Sequence, residues 1–190
     1  ATVEGIALRP AFAEVVAPDP IVAVTIPPAD WSEEDFLRRT RALFDKAAAK
    51  PMNGGTSGGT MRWRGGGAID DVGLGALGRV HDVTVMSRPG RNGSRMTSFE
   101  AALFDSGRPV LMAPPVAKAT LGDTVAVHWN ASTETSRVIG AAIPILKQAK
   151  RVLLVAVAGH MSPGPSTKEA LSYLEAHGIT ASERTVQSRP

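Results

Sequence analysis

The stretch Thr124-Val125-Ala126-Val127-His128-Trp129-Asn130-Ala131-Ser132-Thr133-Glu134-Thr135-Ser136-Arg137 runs on through Ile145 and Ala149 to Arg151-Val152-Leu153-Leu154-Val155-Ala156-Val157. It reads as strand, polar turn, helix and strand. Residues 124 to 129 are rich in β-branched side chains and end at a cluster of small polar ones. Ser132 or Thr133 can cap the helix by accepting a bond from a free backbone N–H, and Glu134 suits the positive end of the helix dipole. Apolar or small residues at 135, 138, 142, 145 and 149 are spaced for one helical face. Ile139, Ile143 and Leu146 widen that stripe, which predicts cover on more than one side. Lys147, Lys150 and Arg151 gather at the negative end. Pro144 lacks the N–H that would bond to Gly140 and is expected to kink the helix. Residues 152 to 158 then form an apolar run without alternation, as in an interior parallel strand covered on both faces. The whole is a βαβ unit.

The chain of 190 residues is long enough for one α/β domain with a sizeable core, or for parts of two. It contains no cysteine, which excludes disulfides, thiolate metal sites and a thiol nucleophile, and which suits a reducing, cytoplasmic setting. The net charge of +3 comes from scattered Arg and Lys with no basic block. Three tryptophans, one tyrosine and five phenylalanines, none interleaved with basic residues, argue against a nucleic-acid partner. The apolar runs are too short to span a bilayer, so no membrane partner is expected.

From the beginning, residues 2 to 8 read as a short strand, and residues 9 to 29 carry the loop signals Pro10, Pro18, Asp19-Pro20 and Pro27-Pro28. Asp30 and Glu33 form the pattern of a capping box, with Phe36, Thr40, Leu43 and Ala47 as the buried face of the helix that follows. Residues 53 to 59 are a glycine-rich hinge. Met61-Arg62-Trp63 reads as a strand, 68 to 77 as a helix and 80 to 86 as a strand. Thr97 and Glu100 frame another capping box, and that helix stops at Gly107, a candidate left-handed cap. Residues 109 to 113 form a short strand and 114 to 123 a linker. At the far end, Ser166 with Glu169 caps a helix that uses Ala170, Leu171, Leu174 and His177 and stops at Gly178. Residues 179 to 186 are polar enough for an edge strand.

Val85-Met86-Ser87-Arg88-Pro89-Gly90-Arg91-Asn92-Gly93, the helix led by Thr97, and Gly107-Arg108-Pro109-Val110-Leu111-Met112 together resemble the closing half of a universal stress protein domain. Residues 124 to 157 resemble the opening βαβ of a second one. The resemblance implies a tandem pair of α/β domains. Each would be a doubly wound, flavodoxin-like parallel sheet of the adenine-nucleotide α-hydrolase type, with strand order 3-2-1-4-5. On that alignment residues 1 to 113 lack their own first strand and helix, and residues 124 to 190 are the opening half of a second domain. The chain is expected to be trimmed, or its second half to supply the first strand of the first. It is also expected to associate, as a homodimer or an intramolecular pseudo-dimer, with residues 109 to 113 as a pairing edge.

Nucleotide-binding members of the family have Gly-x-x-Gly, nine further residues, then Gly and Ser or Thr. Glycines let backbone N–H groups approach phosphates, and the hydroxyl bonds an oxygen. Gly90 and Gly93 match the first pair. Leu103 stands where the second glycine should be, and Thr97 and Ser98 arrive too soon. A plain turn ahead of a helix is the cheaper reading. Asn130 occupies the position where the family has Asp, and Ser132 follows it; shaping the turn and capping the helix explain both equally well. The site residues that the resemblance implies are thus Gly90, Gly93, Thr97, Ser98, Asn130 and Ser132, with ATP or AMP as the cofactor. The expected function is a stress-response binding module without catalysis. The alternatives are an adenine-nucleotide-binding stress protein and a dimerisation scaffold.

Other signals explain themselves more simply. Gly73-Leu74-Gly75-Ala76-Leu77-Gly78 spells the dinucleotide fingerprint but precedes a strand instead of following one. The histidines at 81, 128, 160 and 177 have no ligand spacing. Asp70-Asp71 reads as a helix start, and Trp129 as a packing residue.

Overall fold

A computed structural model describes residues 2–10, 12–18, 21–50, 59–90, 95–116 and 121–187. The chain divides into two compact units, Ala1–Pro115 and Val116–Pro190. Both mix helices with short parallel sheets, an α/β architecture.

The second unit holds the stretch that opened the reading. Strands β7 (Thr124–His128), β8 (Arg151–Val157) and β9 (Ala181–Val186) pair in parallel in the order β7-β8-β9. Helix α4 (Thr133–Leu146) connects the first pair and α5 (Thr167–Ala176) the second. Parallel neighbours need such crossovers, and right-handed crossovers between strands laid down in sequence bring both helices to one face. The burial pattern agrees. Along β8, Val152, Leu154 and Ala156 are buried, while Leu153, Val155 and Val157 on the other face are only half-buried. The strand is interior and parallel as expected, but one of its faces is covered rather than both.

The core of this unit is Val127, Trp129, Ile139, Leu146, Val152, Leu154, Leu174 and Ile179, with Ala131 and Ala170 filling between them. The stripe of α4 that meets the sheet runs through Ile139, Ala142, Ile143 and Leu146. Val138 (61 % exposed) and Ile145 (48 %) face away, so the apolar spacing at 135, 138 and 145 did not mark the buried side. A single sheet face gives the helix one stripe to bury, and the set centred on 139 and 146 meets it. Pro144 lies in the last turn of α4, where the bond missing to Gly140 is close to the helix end. Ser166 and Glu169 form the capping box read from the sequence, and Gly178 ends the helix at φ 75°. Strand β9 is the exposed edge.

In the first unit, β1 (Thr2–Gly5) pairs in parallel with β4 (Thr60–Trp63), and β5 (Thr84–Ser87) with β6 (Val110–Ala113). Between residues 9 and 29, where only loop signals were read, β2 (Ala13–Pro18) and β3 (Ile21–Ile26) form an antiparallel hairpin. The runs Glu14-Val15-Val16-Ala17 and Ile21-Val22-Ala23-Val24-Thr25-Ile26 have β-branched character that the prolines obscured. Pro18 falls at a strand end, where a missing N–H costs little.

Helix α1 (Glu33–Ala48) is capped by Ser32, whose hydroxyl accepts from the Asp35 N–H at 3.3 Å, and not by Asp30. Its expected buried face is half-covered at best, and Leu43 is 69 % exposed. Phe44 makes the principal contact, 5.4 Å from the Trp63 ring and against Gly5, where a Cβ would have no room. A helix resting on two strands has little surface to bury.

Helix α2 (Asp71–Gly78) begins at Asp70, whose side chain accepts from the Gly73 N–H at 2.8 Å, the helix-start role read for that acid. Turns closing α2 occupy residues 79 to 81, so β5 starts only at Thr84, later than expected. Helix α3 (Met96–Glu100) continues into a π-helical segment over Ala101–Asp105. Its N-cap is Arg95 at φ 62° with no side-chain bond, which replaces the capping box of Thr97 and Glu100. Gly107, at φ 65°, ends it as predicted. The glycine-rich stretch from 53 to 59, read as a hinge, lies almost wholly outside the described residues.

Candidate functional site

In open parallel sheets the ligand crevice lies beyond the carboxyl ends of the strands. In the second unit that end is built by the turn after β7 and the loop after β8. Asn130 Oδ1 accepts from the Ser132 N–H at 3.1 Å and from the Thr135 hydroxyl at 3.1 Å. This side-chain-to-backbone bond folds the chain back on itself. Ala131 is thereby held at φ 65°, unusual for a residue with a Cβ. The loop after β8 presses on this turn: the Ser162 N–H donates to Asn130 O at 2.8 Å. A Cβ on Gly164 would stand 2.8 Å from Ala131 O, so only glycine fits there. Trp129 is buried, as its packing role requires, and its Nε1 donates to Pro165 O at 3.3 Å. Beside it, a cavity of about 380 Å³ opens between α4 and α5, lined by Trp129, Ser136, Ile139, Pro165, Glu169 and Tyr173.

The N-termini of α4 and α5 both point to this end of the sheet, and both are occupied by the chain's own groups. Ser132 caps α4 by accepting from the Thr135 N–H at 3.3 Å. The Glu134 carboxyl is held below its ordinary value, first by its own backbone N–H and then by the Ser132 and Thr133 hydroxyls. At α5, Glu169 accepts from the Ser166 N–H at 2.8 Å and from its hydroxyl at 2.7 Å. Those two bonds, the hydroxyl first, lower its carboxyl as well. A phosphate approaching either helix end therefore meets a carboxylate, and at α5 that carboxylate already holds the Ser166 N–H.

Of the other predicted site residues, Gly90 is exposed in the loop after β5, and Gly93 lies outside the described residues. Thr97 is exposed on α3. Ser98 is buried beneath it, its hydroxyl donating to Asp71 Oδ1 at 2.6 Å, so it ties α3 to α2. The structure thus brings Asn130 together with Ser132 in one turn, and directs Ser98 into the interior. Two glycines of the apparent dinucleotide fingerprint, Gly75 and Gly78 of α2, are packing devices that abut Asp105 and Ser106.

A polar cluster in the first unit went unseen in the sequence. The Glu4 carboxylate, only 6 % exposed, receives Arg62 at 3.0 Å, Arg64 at 3.2 Å and His81 Nε2 at 3.0 Å. His81 Nδ1 lies 2.9 Å from Leu77 O, which fixes the ring at the end of α2. Hydrogen bonds from Arg62 foremost, then His81 and Arg64, lower the Glu4 carboxyl from 4.5 to about 2. A carboxyl depressed by folding adds stability above its unfolded value and loses that contribution as pH falls through its folded one. The first unit is therefore expected to lose stability as pH drops from 4.5 to about 2. Glu4→Gln should flatten that part of an acid titration of the melting temperature and lower the plateau above it. Parallel wild-type and variant curves would show that Glu4 does not couple to folding.

Among the described residues no three His, Asp or Glu side chains group to hold a metal ion, and no helix is long and apolar enough to cross a membrane. No protein-family model matches the chain, and neither does any curated protein.

Proposed function

We propose that the chain is a non-catalytic binding module of the universal stress type, acting in the cytoplasm. On this reading residues 1–113 are the closing part of one doubly wound sheet of order 3-2-1-4-5, residues 114–123 a linker, and residues 124–190 the opening part of another. The sequential order β7-β8-β9 and the parallel β5–β6 pair support it. The observation that carries the functional part is that Ser132 and Ser166 cap α4 and α5 while the Glu134 and Glu169 carboxylates stand at the same helix ends. Each serine hydroxyl takes one helix-end N–H that a nucleotide-binding relative would offer to phosphate, and the carboxylates beside them repel an anion.

ATP and AMP are accordingly expected to bind weakly or not at all. The donors withheld from a charged oxygen are worth roughly 1.5–3 kcal/mol each. Native mass spectrometry with added ATP, backed by titration calorimetry, tests this. A tight ATP complex that Gly93→Val or Ser132→Ala abolishes would establish the adenine-nucleotide-binding alternative instead.

A second reading is favoured by β6, where Leu111 and Met112 remain exposed. Apolar side chains on a short strand at a sheet edge suit pairing with a second copy, the dimerisation role. The same mass spectra read the oligomeric state, and a monomer at all concentrations removes this reading.

A further inference from the structure

The cavity of about 380 Å³ between α4 and α5 falls in the size range of small-molecule sites. Trp129 and Ile139, both buried, line it together with Pro165 and Tyr173. Tyr173 reaches from α5 towards α4. Its ring centroid lies 4.4 Å from that of His177 at the end of α5, and its hydroxyl lies 4.0 Å from the place that a Cβ on Gly140 would take. The polar groups of the lining are Ser136 on one helix and Glu169 on the other.

Following each hydrogen shows what these groups can still bind. The Trp129 indole N–H is spent on Pro165 O, and the Ser136 hydroxyl donates to Ser132 O at 3.1 Å, which leaves its oxygen free to accept. Glu169 is an acceptor with capacity to spare. Both bonds from Ser166 end on its Oε2, and among the described residues Oε1 accepts none. The same Ser166 bonds hold the carboxyl below its ordinary value, so it is ionised at neutral pH. Among the described residues no Lys, Arg or His pairs with it, and none lines the cavity. Spent donors and an unpaired negative charge reject carboxylates and phosphates and favour a cationic donor, which aromatic walls also attract. We infer that this cavity binds a small organic ammonium, a primary amine carried on a compact apolar body. The ammonium bonds to Glu169 Oε1 and Ser136 Oγ, and the body lies against Trp129, Ile139 and Tyr173. This goes beyond the stress-type reading, which turns on phosphate at the helix ends, and stands without it.

The test uses the full chain with phenethylamine as the probe. Calorimetry should show saturable binding, and isotope-labelled protein should show the Trp129 indole N–H resonance shifting along the same titration. Phenethyl alcohol and phenylacetate keep the ring but replace the ammonium with a hydroxyl and a carboxylate. Each should bind at least roughly tenfold more weakly. Glu169→Gln removes the charge while keeping a residue that completes a capping box, and should weaken the amine by a similar factor while leaving the alcohol unchanged. If that variant does not fold, the three titrations of the unaltered chain decide alone. No saturable binding, equal binding of amine and alcohol, or amine binding that leaves the Trp129 indole unmoved overturns the inference. So does amine binding that is undiminished in a folded Glu169→Gln chain. None of these results touches the stress-type reading, which a tight ATP complex would overturn instead.

Discussion

Replacing Leu154 with alanine is expected to destabilise the second unit by about 2–5 kcal/mol, enough to leave much of it unfolded under mild denaturant. Leu154 is fully buried in the middle of β8, the central strand, and shares a core with Val127, Ile139, Leu146 and Leu174. Its neighbours come from both crossover helices and from β7, so truncation leaves a void that no single element can move to fill. A domain's whole stability is of the order of 5–15 kcal/mol, and a unit this small sits at the low end. Leu153→Ala supplies the contrast. It is the same change one residue away, on the uncovered sheet face, and should cost clearly less. Urea unfolding followed through Trp129, with Trp31 and Trp63 replaced by phenylalanine, compares the two. Equal losses would mean that both faces of β8 are packed.

What was legible in the sequence was local. The βαβ unit from 124 to 157 and the helix from 167 onward could be read because their caps, apolar runs and stop signals lie within a few residues of one another. Ser132, the Ser166–Glu169 box, Gly107 and Gly178 all stand where their chemistry put them. Errors arose where two local signals competed. Ser32 displaced Asp30 as a cap because its hydroxyl sits three residues before the Asp35 N–H. Prolines hid the β2–β3 hairpin, although Pro18 marks only the end of β2. The stripe on α4 was misplaced because apolar residues occupy more of that helix than one sheet face can cover. The Glu4 cluster was invisible for another reason: its partners lie 58, 60 and 77 residues along the chain. Only the pairing of β1 with β4 and the placement of α2 bring them together. At the candidate site, Asn130 and Ser132 were legible as turn and cap. Glu134 and Glu169 were legible one helix at a time; that the two helix ends lie at one end of the same sheet was not, because this follows only once the strands are aligned.

The glycines of α2 yield the second large effect, and its sign varies along a single helix. Glycine in a helix interior costs up to about 1 kcal/mol relative to alanine, so a Gly→Ala change gains stability wherever a Cβ fits. At Gly73 it nearly does: the nearest atoms would be Asp70 Oδ1 at 3.1 Å and Ile69 Cβ at 3.4 Å, and the Asp70 carboxylate can adjust. At Gly75 the added carbon would stand 2.7 Å from Asp105 Cβ and 3.2 Å from Ala101 O. At Gly78 it would stand 2.6 Å from Ser106 Cβ. Ser106 cannot yield, being buried and pinned by bonds to Ala102 O and from the Arg108 N–H. Either change must push α2 away from the π-helical segment, and overpacking of this kind costs roughly 1–3 kcal/mol. Gly73→Ala should therefore raise the melting temperature or leave it unchanged, Gly75→Ala and Gly78→Ala should each lower it, and the pair together should lower it most. Thermal unfolding of the three single variants and the double variant decides it. Stabilisation by Gly78→Ala would show that α2 and the segment from Ala101 to Ser106 are not in direct contact. The apparent nucleotide fingerprint would then need an explanation other than helix packing.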